Sequence, residues 1–153
     1  MSKRFDAVPA FVVPVEIRAI PEMGVDHNGV FAAVPIKKGE VIWEWTDLVR
    51  SIHHKDLDKA LESMTTSEAA LFLRQGFVMP NDLEHFNTNP KDAGRFTNHS
   101  KTPNLGMEGA LRDIEVGEEI TMDYTFHGDP EWYRDICAKY NVQTEAQIAA
   151  VYA

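Results

Sequence analysis

Cysteine is nearly absent: Cys137 is the sole one in 153 residues. A lone cysteine excludes an internal disulfide framework and any Cys-rich zinc cluster. The histidines, His27, His53, His54, His85, His99 and His127, fall in no HExxH or comparably tight spacing, so no metal site is expected. Long apolar runs are also missing. None approaches the ~20 residues that span a bilayer, and AFVVPVEIRAI is interrupted by Pro14, Glu16 and Arg18. No charged-then-apolar leader with a cleavage site stands at the start, so a cytoplasmic, non-membrane protein is expected. There is no Lys/Arg stripe, and the net charge is −9. That balance disfavours direct nucleic-acid binding. It favours a basic partner, such as a Lys-rich peptide.

What is present suits one domain over residues 1–153, with 44% hydrophobic residues to build a core. FVVPVEIRAI puts Phe11, Val13, Val15 and Ile17 on one face of a strand, near a sheet edge because of Pro14. GVFAAV and EVIWEW read as two more short strands, joined by turn chemistry in PIKKGE. The middle, about 50–80, changes to a helical insert. HHKDLDKALESM is one helix; in TTSEAALFLRQG, Thr65 and Glu68 have capping-box spacing and Gly76 marks the stop. From about 80 to 104 the chain is rich in Asn, Pro, Gly and Asp and reads mostly as loop. Strands resume around 105–112 and 119–126, and a helical tail covers about 129–153. In the tail, Asp129 reads as the N-cap and Pro130 as the first helical residue. Trp132, Ile136 and Tyr140 share one face, and Thr144 with Gln147 forms a second capping box. IKKGEVI and IEVGEEI repeat one pattern, read as two similar Gly-centred turns that each feed a strand. The absence of βαβ alternation argues against a doubly wound sheet. The expected class is mainly β with a helical insert and C-terminal helices.

Chemistry concentrates in two stretches, GRFTNHSKTPNL and RDIEVGEEITMDYTF. Together, and with NGVFAAVPIKKGEVIWEW upstream, they resemble the SET-domain protein lysine methyltransferases over about residues 12–126. The resemblance implies a β-clip fold with a pseudoknot-like C-terminal active site. It implies S-adenosylmethionine as methyl donor and the lysine of a basic protein, histone-like or otherwise Lys-rich, as acceptor. Carried over by position, Asn98 contacts the amino-acid end of the cofactor and the His99 backbone its adenine. Arg95 and Phe96 support that loop or the cofactor, and Asn28, Gly29, Val30 and Phe31 line the same site. Tyr124 matches the catalytic tyrosine. Methyl transfer from a sulfonium requires a neutral amine aligned with the methyl carbon and leaving sulfur, and a hydroxyl can hold that line. On an extended strand Met122 and Phe126 share a face with Tyr124 and become walls of the lysine channel.

The chain departs from the family pattern in three places. His27-Asn28-Gly29 stands where relatives carry Gly-x-Gly, so the cofactor site is reshaped or Gly24 supplies part of the missing freedom. Met122 replaces the usual aromatic, which leaves methyl number open. No zinc module closes the C-terminal side of the site. Trp132 is the candidate replacement, by stacking on adenine or facing the peptide groove, with docking of its helix as the alternative; homodimer formation is another route. The rival reading is a catalytically degenerate SET-like module that binds a basic peptide or the cofactor without turnover. A small-molecule methyltransferase is a third.

Overall fold

The structure, a computed structural model, describes residues 10–25, 27–88 and 92–151. In chain order the elements are β1 (Val15–Ala19), β2 (Asn28–Ala32), β3 (Arg50–His53), α1 (His54–Glu62), α2 (Thr66–Arg74), β4 (Phe77–Met79), β5 (Asp82–Thr88), β6 (Asn98–His99), β7 (Leu105–Gly106), β8 (Gly109–Ala110), β9 (Glu119–Met122), α3 (Glu131–Lys139) and α4 (Glu145–Val151). Short 3-10 turns cover Pro21–Met23, Ala93–Phe96 and Tyr124–Phe126. They fall into two units: Met1–Leu48 with Lys91–Asp123, and Val49–Pro90 with Tyr124–Ala153. No helix among the described residues is long and apolar enough to cross a membrane.

The first unit is built on a four-stranded sheet of order β1-β2-β9-β6. β1 is the edge strand that Pro14 foreshadows, and it begins only after that proline, which has no N–H to give a ladder. Val15 pairs with Ala32 and Ile17 with Val30. Alternation sends these side chains into a core that also holds Ile36, Ile42, Ile114 and Ile120. The two Gly-centred turns meet each other. Ile36 and Ile114 exchange backbone bonds of 2.9 and 2.8 Å. Gly39 and Gly117 take φ of 91° and 86° at equivalent places, where a side chain would be strained. Each turn carries the same internal bond, from the Lys37 N–H to Glu40 and from the Glu115 N–H to Glu118.

EVIWEW does not become a strand. Among the described residues it is held by Val12 N–H to Ile42 O, Glu44 N–H to Ala10 O and a single bridge between Phe11 and Trp43. Among the described residues the run has no full-length neighbour, and so no ladder to join.

In the second unit the three-stranded sheet has the order β3-β5-β4. β5 lies inside the stretch expected to be loop; residues 89–91 of that stretch are outside the described residues. Pro80-Asn81 forms a tight connection that lets Met79 pair with Asp82, and β3 supplies a partner on the other edge. α2 carries the expected capping box between Thr65 and Glu68. Gly76 is required for space rather than for a left-handed stop: a Cβ there would sit 2.0 Å from the Phe86 ring.

α3 starts one residue later than expected, with Pro130 as N-cap and no side-chain cap bond. Asp129 instead takes its place beside Arg134, whose Nη1 donates to the Asp129 backbone carbonyl. The buried stripe is also rotated by one residue: Tyr133 and Cys137 face the core, while Trp132 and Ile136 are half-buried at its margin. Thr144 and Gln147 form the expected reciprocal cap at 3.1 and 2.8 Å. Burial pushes the Cys137 thiol up to about 12, and the thiolate is the reactive form. Native protein at pH 8 is therefore expected to resist iodoacetamide at Cys137 and to react once unfolded. Intact-mass measurement checks this; rapid alkylation of the folded chain would overturn it.

Candidate active site

The stretch from Arg95 to Asn104 is tied to β9 at both ends. β6 pairs in parallel with β9, Asn98 opposite Thr121 and His99 opposite Met122. Ser100 N–H continues the pairing to Met122 O at 2.9 Å. At the far end the fully buried Asn104 acts as an added rung. Its Nδ2 donates to Glu119 O at 2.8 Å, and its Oδ1 accepts from Thr121 N–H at 2.9 Å. Nδ2 also reaches Glu118 Oε2 at 3.3 Å. Burial works to raise the pKa of Glu118, but the Glu115 N–H, Arg112 and Asn104 outweigh it and the carboxyl titrates below its ordinary value. Asn104 closes the polar run of the motif stretch, where the sequence alone gives it no role of its own.

Asn98 lies at the centre of a second network. Its Nδ2 donates to Asn28 O at 3.0 Å and to Glu119 Oε2 at 2.8 Å. His27 Nε2 lies 2.9 Å from Asn98 Oδ1. Both neighbours of Nδ2 are acceptors, so the amide orientation is fixed, and His27 Nε2 must be the donor. His27 thus joins the network that holds Asn98. Gly29 makes room for it. A Cβ there would lie 2.6 Å from Ile20 Cδ1, 2.7 Å from Glu119 Oε2 and 3.2 Å from Asn98 Nδ2. Gly24 takes φ 139° with nothing within 4 Å of its would-be Cβ, and its carbonyl accepts from the His27 N–H at 3.3 Å.

The other candidates of this unit divide by what their side chains do. Val30 is fully buried in the core, so only its backbone is left to face a ligand. Phe31 carries the Arg18 guanidinium over its ring at 4.8 Å. Phe96 packs on the same core as Val30, with the Arg95 guanidinium 4.1 Å from its ring centre. Arg95 Nη1 donates to Asp92 O at 2.9 Å. Burial lowers the Arg95 pKa, and the Asp92 charge counters part of that. This is the loop-supporting alternative for Arg95. Asp92, which the sequence reading did not single out, is fully buried and organises the loop. Its Oδ1 accepts from Gly94 N–H at 2.7 Å, Trp43 Nε1 at 2.9 Å and Ala10 N–H at 3.0 Å. The His99 ring is almost wholly enclosed, with Nδ1 3.9 Å from Asp123 Oδ1.

Met122 ends β9, and Tyr124 opens a 3-10 turn in the second unit. The expected alternation of Met122, Tyr124 and Phe126 on one extended face is therefore corrected. At ~3 residues per turn, positions two apart do not share a face. Tyr124 is half-buried and Phe126 exposed, its ring 5.7 Å from His127. Trp132 docks its helix: the indole stacks on His54 at 5.2 Å and donates to Leu83 O at 2.7 Å.

A family model described as SET domain matches residues 27–125. The chain belongs to the SET domain family. The variant-silencing SET domain-containing protein of Plasmodium falciparum is 28% identical over 132 residues. That alignment covers 77% of this chain and 5% of the relative. Among solved structures, ctPRC2 in an autoinhibited conformation bound to S-adenosylmethionine is similar at TM-score 0.54 and 20% identity, covering 74% of this chain and 15% of that one. A humanized mutant of the Chaetomium thermophilum Polycomb Repressive Complex 2 is similar at TM-score 0.58 and 19% identity, covering 81% and 16%. At these identities the structural likeness concerns the SET fold, mainly β with a few helices. The chain spans a small fraction of the length of each relative.

Within this SET domain, Gly29 offers a direct test of the Asn98 network. The atoms that a Cβ would displace are the ends of flexible side chains, Ile20 and Glu119, beside Asn98. Gly29→Ala should therefore fold, but lose the bond between Asn98 and Glu119 at a cost of about 1–2 kcal/mol. Urea unfolding measures it. An unchanged midpoint would mean that the network accommodates the methyl group without loss.

Proposed function

We propose that this SET domain catalyses S-adenosylmethionine-dependent methylation of a lysine side chain in a basic protein or peptide. The observation that carries the reading is the buried Asn98, held by three bonds to His27, β2 and β9. Both amide hydrogens are engaged, whereas Oδ1 retains a second lone pair. That lone pair suits the α-ammonium of the donor, and the nearby Glu119 carboxylate favours the same positive charge. The net charge of −9 favours a histone-like or otherwise Lys-rich substrate. On this reading Tyr124 orients the substrate amine, and an apolar surround lowers the lysine pKa so that the neutral amine is available.

His27 gives the rival its specific support. By engaging Asn98 Oδ1, it fits a module that holds the cofactor or a basic peptide without turnover. Incubation with radiolabelled S-adenosylmethionine and a mixture of histones and ribosomal proteins separates the two. Labelled protein that vanishes with Tyr124→Phe supports catalysis. Cofactor binding by calorimetry without label transfer to any of these proteins supports the rival.

A further inference from the structure

Two adjacent histidines and a glutamate 30 residues away converge in the second unit. His53 ends β3 and His54 begins α1. Antiparallel pairing of β3 with β5 sets His53 opposite His85, and this brings the neighbouring Glu84 carboxylate to both rings. Glu84 Oε2 lies 3.0 Å from His54 Nε2 and 3.5 Å from His53 Nε2. One ligand atom from each of the three residues lies within 4.8 Å of the other two. In a tetrahedral site with bonds of ~2.0 Å, ligand atoms stand about 3.3 Å apart. The two His–Glu separations bracket that value. We propose that His53, His54 and Glu84 form a binding site for a divalent transition cation, with Zn2+ as occupant and water as its fourth ligand.

The donor set selects the cation class. Two imidazoles and one carboxylate suit Zn2+, Co2+ or Ni2+, whereas Mg2+ and Ca2+ favour oxygen ligands. The rings are already positioned. His54 is stacked between His53 at 4.6 Å and Trp132 at 5.2 Å. His85 is committed to Asp82 at 3.1 Å and stands edge-on to His53. His53 and His54 each take the tautomer with hydrogen on Nδ1, freeing Nε2 for the metal. For His53 this displaces the helix cap, because Nδ1 now accepts from Lys55 N–H at 3.1 Å. The cation clips the end of β3 and the first residue of α1 to β5, which is a structural role within this unit. It lies outside the methyl-transfer reading and does not depend on it. Reading only close spacings could not find it, because strand pairing supplies the third ligand.

The cap contact also dictates the test. Asn is a favoured N-cap, so His53→Asn removes the ligand while preserving the acceptor for Lys55 N–H. Glu84→Gln keeps the shape of an exposed side chain and removes the anionic ligand. Zn2+ is titrated into the full, chelator-stripped chain by calorimetry, with circular dichroism and the metal-free melting temperature as checks on folding. The wild type should bind one Zn2+ and melt at higher temperature when saturated. Both variants should keep the metal-free melting temperature and lose at least ~10-fold in affinity. No saturable binding by the wild type, or unchanged affinity in both variants, would overturn the assignment.

Discussion

Tyr124→Phe is expected to keep the fold and the cofactor affinity while lowering single-turnover methylation at least ~100-fold. The substitution removes one oxygen and leaves the ring. Tyr124 sits at the start of a 3-10 turn whose backbone bond, His127 N–H to Tyr124 O at 3.1 Å, does not involve the hydroxyl. The turn should therefore survive. A hydroxyl that aligns the amine with the sulfonium methyl acts mainly in the transition state. Its loss lowers turnover more than binding, and ~100-fold corresponds to about 2.7 kcal/mol. Phe is preferable to Ala, which would add a cavity to the comparison. The measurement is single-turnover methylation of a competent basic substrate at saturating S-adenosylmethionine. Equal rates in a folded variant would make Tyr124 a packing residue and remove it from the proposed mechanism.

The local features of this molecule were legible where a few adjacent residues decide the outcome. The Thr65 and Thr144 capping boxes and the Gly39 and Gly117 turns depend on short-range bonds, and Pro14 marks an edge by the N–H it lacks. Tertiary pairing decided the rest. β5 forms from an Asp- and Asn-bearing stretch because β3 and β4 offer it partners on both sides. EVIWEW has stronger β-formers, but among the described residues its one bridge is to Phe11. On α3 two apolar stripes compete at helical spacing, and the sheet side takes Tyr133 and Cys137. The candidate site shows the same division. The motif stretch identified Asn98, but not that His27, the apparent defect upstream, would become its hydrogen-bond donor. Asp92 and the role of Asn104 were not legible, because a loop sequence does not show which buried donors and acceptors its Asp and Asn side chains will meet. Tyr124 kept its motif position and lost its strand, since alternation cannot reveal where a ladder ends.

Asn98→Ala should weaken S-adenosylmethionine binding by about 1–3 kcal/mol, or roughly 5- to 150-fold. The variant also leaves Glu119 and His27 without their partner, so a stability loss is expected beside the affinity loss. Affinity must be measured where the variant remains folded. His27→Ala separates orientation from contact: it removes one of the three bonds that hold the amide and leaves both donated ones. Its effect on cofactor affinity should therefore be smaller than that of Asn98→Ala. The decisive comparison uses a cofactor analogue lacking the α-amino group. If the free lone pair of Asn98 Oδ1 receives the α-ammonium, the wild type should lose affinity for the analogue. Asn98→Ala should then show a smaller penalty for the analogue, because one partner of that group is already gone and the Glu119 carboxylate remains. Such non-additivity is the mark of a direct contact. Equal penalties for the analogue in both proteins would place the ammonium elsewhere, and unchanged cofactor affinity in folded Asn98→Ala would remove this residue from the site.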